Sequence, residues 1–201
     1  MTKKSFLKAE KIFRQYNGIL RTGQAKKLGV DQPILIQMCT EGLLVKEARG
    51  LYRLADLPPF NNPDFIQVAI RVPNSVICLI SALNFHNLTT QIPYRVYIAL
   101  PQKTKAPRLD YPPLDIVYLS ETPYMAGLEE HIIDGVSVRI YSREKTVADC
   151  FKFLNKIGLD IALEALKDYL RQPDRNLGEI LRYGRVNRVE KIMQPYLRAA
   201  L

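Results

Sequence analysis

Apolar residues recur at helical spacing over residues 3–16, where Phe6, Leu7, Ala9, Ile12, Phe13 and Tyr16 stand between lysines and Arg14. Asn17-Gly18 ends that run. The pattern then shortens. Residues 18–54, GILRTGQAKKLGVDQPILIQMCTEGLLVKEARGLYRL, predict a short strand, two short helices around a glycine turn, and a two-stranded hairpin.

Within this stretch Thr22 is the expected cap of a helix over residues 23–28, because its hydroxyl accepts a first-turn N–H. Ala25 and Leu28 give that helix an apolar face, and Lys26 and Lys27 point away from it. Gly29 supplies the left-handed conformation of a sharp turn. Asp31 is placed to cap the next helix, with Pro33 in its first turn, where no backbone donor is needed. Leu35, Met38 and Cys39 are spaced to face the core, so Gln32, Ile36, Gln37 and Thr40 fall on the other side. Gly42 stops the helix, and residues 43–46 and 51–54 alternate as a hairpin about Ala48, Arg49 and Gly50.

That order of elements is the order of a winged helix-turn-helix, which reads DNA with its second helix. Glutamine offers paired donor and acceptor groups that match adenine, and isoleucine touches a thymine methyl, so Gln32, Ile36 and Gln37 are the expected base readers. Lys26, Lys27, Lys46, Arg49 and Arg53 are expected on phosphate. Thr22 and Gln24, at the opening of the first helix, complete the candidate DNA-binding set.

Residues 55–64, ADLPPFNNPD, form a proline- and asparagine-rich connector without periodicity. It separates an expected DNA-binding domain at 1–57 from a second domain at 58–201. In the second domain, residues 65–72 are apolar with spacing that fits helix or strand. Residues 76–84, VICLISALN, predict a helix, and 94–100 and 114–119 predict strands. Residues 131–133 and 136–141 flank Asp134-Gly135, a hairpin turn. Helices are expected over 143–156 with Ser142 as cap, over 160–170 closed by Pro173, over 177–183, and over 186–201 with an interruption at Pro195. The whole is α+β: an N-terminal winged helix-turn-helix, then a mixed α+β domain with a helical C-terminal portion.

Charge sharpens this picture. The chain carries 29 Lys+Arg against 20 Asp+Glu, a net +9. Residues 1–57 hold 11 against 5, residues 58–145 hold 8 against 8, and residues 146–201 hold 10 against 7. Basicity concentrated on the expected DNA module is what phosphate binding requires. No apolar run of about 18 residues predicts a spanning helix. MTKKSFLKAEKIF lacks the apolar block of a signal peptide, so a cytoplasmic protein without membrane partners is expected.

Cys39, Cys78 and Cys150 are scattered in apolar runs and read as reduced, buried thiols. His86 and His131 lie far apart in sequence and read as core or surface residues. There is no Gly-rich phosphate loop, no nucleophile motif and no tight carboxylate pair. Asp110 and Asp115 are too separated, Glu129 and Glu130 diverge, and Asp149 beside Arg143, Lys145 and Lys152 reads as helix-face ion pairing. No catalytic residues, metal or cofactor are expected.

Two stretches resemble a known family. GILRTGQAKKLGV…ILIQMCTEGLLVKEARGLYRL is similar to the winged-helix domain of AbiEi-type antitoxins. SALNFHNLTTQIPYRVYIALP and DGVSVRIYSREKTVADCFKFLNKIGLDIALEALKDYL look like their C-terminal domain, most specifically from Ser142 through Arg143, Glu144, Lys145, Thr146, Asp149 and Cys150 to Gly158, Leu159 and Asp160. The resemblance implies an antitoxin and transcriptional autorepressor of a type IV toxin–antitoxin operon. Its winged helix would bind inverted repeats in its own promoter. Its C-terminal domain would neutralise a nucleotidyltransferase-like toxin without a stable complex. The family's recognition helix is commonly arginine-rich where this chain has Gln32, Pro33 and Gln37. On the residues alone two other functions stay open: a ligand-responsive regulator with a pocket among Tyr97, Tyr118 and Tyr141, and a protein–protein module without DNA.

Overall fold

The computed structural model describes residues 3–200. Leu201, expected to end the last helix, lies outside the described residues, as do Met1 and Thr2. The chain divides into two compact units. The first runs to Pro63 and takes in Ile133–Gly135, and the second is made of the remainder from Asp64 on.

The first unit is α1 (Lys3–Gln15), β1 (Ile19–Arg21), α2 (Thr22–Lys27), α3 (Gln32–Thr40), β2 (Leu44–Ala48) and β3 (Leu51–Leu54). Its strands form an antiparallel sheet in the order β1-β3-β2. Ala9 and Phe13 of α1, Leu20, Ala25, Val30, Leu35, Met38, Leu44, Tyr52 and Leu54 make one core. Leu7 and Tyr16, expected from spacing on the apolar face of α1, are 61% and 46% exposed. Both short helices end alike. Gly29 and Gly42 take φ of 85° and 72°, and the next residue's amide reaches back, Val30 to Ala25 O at 2.8 Å and Leu43 to Met38 O at 2.8 Å. These are Schellman turns, and a Cβ at either glycine would strain them.

The helix starts depart from expectation. Thr22 does not cap α2; it is the first helical residue, and Arg21 holds the cap position in extended conformation. The reason is that β1 runs straight into the helix. Arg21 still pairs with Leu51 across the sheet, and the Thr22 amide donates to Gly50 O at 2.9 Å. Gln24 covers the exposed end instead, its Oε1 accepting the Arg21 N–H at 3.2 Å. Asp31 does occupy the cap position of α3, but its side chain accepts no cap hydrogen bond.

The second unit follows with α4 (Pro63–Arg71), β4 (Val76–Ile77), α5 (Leu79–Phe85), β5 (Val96–Pro101), β6 (Leu114–Leu119), α6 (Glu121–Met125), β7 (Leu128–Ile133) and β8 (Val136–Tyr141). Five helices close it: α7 (Arg143–Lys152), α8 (Leu154–Ile157), α9 (Leu159–Leu170), α10 (Leu177–Val186) and α11 (Glu190–Ala200). The sheet is mixed, in the order β6-β5-β4-β8-β7, with β4 antiparallel to β5 and parallel to β8. The fold is α+β. Among the described residues no helix is long and apolar enough to cross a membrane.

Three expectations fail here for local reasons. The helix predicted over 76–84 begins only at Leu79. Val76 and Ile77 are instead the central strand, Val76 opposite Ala99 and Ile77 between Ile98 and Ile140. Two residues of strand are too few to show a period. The expected break near Tyr183 is also absent. α10 continues through Gly184, where an added Cβ would meet Met193 Sδ at 3.2 Å and Glu190 Cα at 3.4 Å, so the glycine lets α11 approach. Pro195 does not interrupt α11. It is exposed, and the burial of Met193 and Leu197 on either side outweighs the one backbone bond it forfeits.

α7 is the hub of the second unit and packs on α5, α9 and α10. Ser142 caps it as expected, its hydroxyl accepting the Lys145 amide at 3.3 Å. Lys145 and Asp149 do pair, one turn apart, but not on a solvated face. Their side chains are 0% and 1% exposed. The Lys145 ammonium also lies 4.4 Å from the centroid of the Tyr141 ring, and Asn187 Nδ2 donates to Asp149 Oδ1 at 2.7 Å. Arg143 takes no part, pairing with Asp174 at 2.8 Å.

This packing can be tested in two ways. Lys145→Ala strands a buried carboxylate and should cost ~3–5 kcal/mol in urea unfolding, while an apolar pair at 145 and 149 recovers most of that stability. A cost within about 1 kcal/mol would show that the pair is not buried in solution. Burial holds the thiols of Cys78 and Cys150 well above their usual value. A thiol reagent should therefore label Cys39 in the native protein and reach the other two only on unfolding.

Candidate nucleic-acid interface

The helix pair and hairpin of the first unit collect most of the residues singled out from sequence. α3 is amphipathic in the expected sense. Leu35 and Met38 are buried, each 0% exposed, whereas Ile36 is 54% exposed. Gln32 is exposed on the same outward side, one turn before Ile36, and Thr40 one turn after it. Gln37 is half-buried, so it stands at the margin of that face. Cys39 is half-buried too. Its thiol is raised by burial, and the positive charge of Lys46 works against that shift. The Lys46 charge is thus felt at α3 from the neighbouring strand.

The cations divide into two groups. Lys26 and Lys27 in the last turn of α2, Lys46 on β2 and Arg49 in the hairpin turn are all exposed. Among the described residues none of these four has an ion-pair partner. Gly50, φ 79°, makes the tight turn after Arg49. Lys46 lies opposite Tyr52, and a bulge between Lys46 and Ala48 bends the ribbon before its tip.

Arg53 belongs to the other group and corrects the sequence expectation. It is 6% exposed. Its Nε donates to Glu47 Oε1 at 2.5 Å, and its NH1 donates to the carbonyls of Leu54, at 3.0 Å, and Leu57. Its guanidinium lies 5.9 Å from the Phe60 ring centroid. A side chain with these partners is not available to phosphate. Alternation placed it outward, but β3 is the central strand and all four of its residues are buried. Arg14 is likewise engaged, with Glu10 at 2.8 Å and Asp56 at 2.6 Å.

Thr22 is half-buried beneath the hairpin turn. Gln24 is exposed, with its amide oxygen already accepting the Arg21 N–H. Arg21 itself is exposed and was passed over from sequence, where it counted only as part of a strand. The signal was available: a cation immediately before the first helix of the pair.

Of the tyrosines singled out in the second unit, Tyr97 and Tyr141 both pack in its core cluster. Tyr141 is fully buried, its hydroxyl donating to Tyr124 O at 2.8 Å, whereas Tyr118 is 41% exposed on strand β6. The two histidines, distant in sequence, do come together with ring centroids 6.1 Å apart. His86 Nε2 lies 2.7 Å from Tyr141 O, and burial lowers its pKa. Among the described residues no cluster of three or more His, Cys, Asp or Glu is arranged to hold a metal.

No family model matches the chain, and no curated protein matches it in sequence. Its fold is similar to that in the crystal structure of the RV2827C protein from Mycobacterium tuberculosis. The TM-score is 0.54 at 13% identity, over 94% of this chain and 79% of that one. At that identity the likeness is one of fold.

The burial of Arg53 separates two outcomes. Arg53→Gln should destabilise the protein by ~3 kcal/mol, because Glu47 is left without its partner, and leave the salt slope of duplex binding unchanged. Arg49→Ala should leave stability intact and lower that slope by about one. A slope change for Arg53→Gln at unaltered stability would make Arg53 a phosphate contact after all.

Proposed function

We propose that the first unit is a winged helix-turn-helix that binds double-stranded DNA in a sequence-specific way, and that the protein represses its own promoter. The observation that carries this reading is the outward face of α3. It presents Gln32 and Ile36 to solvent, opposite buried Leu35 and Met38. Unpaired cations stand on the elements before and after it, Lys26 and Lys27 on α2, Lys46 and Arg49 on the β2–β3 ribbon. A helix of this kind fits the major groove, and the flanking cations are suited to the phosphates on its two sides.

The biological setting of the proposal comes from the resemblance to AbiEi-type antitoxins. On it, the operator is an inverted repeat, and the second unit neutralises a nucleotidyltransferase-like toxin encoded beside it. The proposed role calls for no catalysis by this chain and places it in the cytoplasm. A downstream nucleotidyltransferase-like reading frame, with rescue of growth when both are expressed, is the test of the antitoxin part.

The DNA-binding part is tested by gel shift on the upstream promoter at several salt concentrations. Lys27→Ala should weaken specific and random duplexes alike and reduce the salt slope by about one. Gln32→Ala and Gln37→Ala should each reduce discrimination between the promoter and random DNA by ~1–3 kcal/mol for every base pair no longer read. Equal effects of lysine and glutamine variants on both DNAs would end the assignment of roles.

A further inference from the structure

α3 carries no charged side chain anywhere along QPILIQMCT. Its outward face is a row spaced by four: Gln32, Ile36 and Thr40. Thr40 has already used its hydroxyl proton, Oγ1 donating to Ile36 O at 3.2 Å, so it offers a methyl and an oxygen that can only accept. Ile36, at the middle of the row, is 54% exposed. The exposed row therefore offers one amide, two hydrocarbon groups and one acceptor oxygen, with the Gln37 amide at its margin. It lacks the arginine or lysine that pairs with guanine O6 and N7, and the carboxylate that accepts from cytosine N4.

The edges of the bases in a major groove carry one hydrocarbon group, the C5 methyl of thymine. We infer that α3 reads thymine through that methyl, with Ile36 as the residue seated on it and Gln32 reading the neighbouring adenine, so that the preferred ligand is a duplex with A·T pairs at the centre of each half-site. This rests on the DNA-binding reading above and deepens it. The charge arrangement favours the same occupant. Apolar contact supplies discrimination on the uncharged helix, while the exposed Lys26 and Lys27 on α2 and Lys46 and Arg49 on the ribbon supply cations for a phosphate backbone. A protein partner of matching shape would need an apolar spot ringed by carboxylates; a thymine methyl between two phosphate strands meets both requirements at once.

The test replaces thymine with uracil, which removes the methyl and keeps every hydrogen-bonding group of the base edge. Duplexes enriched by the full-length protein from a randomised 20-base-pair library are copied with either dTTP or dUTP, and dissociation constants are compared at one salt concentration. The thymine copies should bind roughly fourfold more tightly for each methyl touched, the effect of burying one such group. Ile36→Ala should bind thymine and uracil copies alike. Ile36 is exposed, so this variant should keep the wild-type thermal midpoint. Equal wild-type binding of both copies, with enriched duplexes still preferred over random ones, overturns methyl readout and leaves DNA binding standing. A thymine–uracil gap that survives in Ile36→Ala overturns the assignment to Ile36. No enrichment and no salt-dependent binding of any duplex overturns both this inference and the reading beneath it.

Discussion

The first unit depends on one short strand. β3 has only four residues, yet it pairs with β1 on one side and β2 on the other, and all four side chains are buried. Its turn residue Gly50 accepts the Thr22 amide, which ties the hairpin to the first residue of α2. The helix pair and the ribbon are thereby held to the same strand, and the cations on them keep fixed places relative to α3. The same constraint explains Arg53. On a strand covered from both sides its guanidinium has no solvent to reach, so it turns to Glu47 and to the carbonyls of Leu54 and Leu57. It meets backbone acceptors where the sheet ends, Leu54 O, which also accepts the Leu57 amide, and Leu57 O.

The second unit solves a different problem. α7 is buried over most of its surface, including Lys145, Thr146 and Asp149. Two charges in such a place persist only because each meets the other and further partners: the Tyr141 ring, the Asn187 amide. This changes what the run from Ser142 to Cys150 means. Most of its residues, Lys145, Thr146, Asp149 and Cys150 among them, are interior ones in the helix that packs on α5, α9 and α10.

Legibility from sequence followed the length of each signal. Gly29 and Gly42 each sit at a helix end where backbone geometry demands them, and the paired helices and the hairpin were all readable from spacing. The long amphipathic helices α1 and α9 were readable too. β4 was not, because Val76-Ile77 runs directly into α5 and two residues have no period of their own. α6 is five residues long and was missed for the same reason. At the candidate interface, which face of α3 looks outward was visible in the positions of Leu35 and Met38. The fate of Arg53 was not, since alternation distinguishes two faces of a strand but says nothing of whether both are covered. The closeness of His86, which ends α5, and His131, on β7, comes from tertiary packing and had no trace in the sequence.

The arrangement of charge constrains how such a protein would bind DNA. With Lys26, Lys27, Lys46 and Arg49 on phosphate, one copy neutralises about four charges, for a salt slope of about −3.6. Raising salt from 50 to 200 mM would then weaken binding on the order of a hundredfold, a smaller effect than in proteins that hold twice as many phosphates. The non-specific component would be correspondingly small. An uncharged α3 would add nothing to it and contribute only where the base edges match. One unit alone would therefore hold DNA weakly but discriminate well. On the proposed function an inverted repeat would compensate in the way this balance demands, because two copies on one dyad would double the phosphates held and add their base readout along a single stretch of duplex.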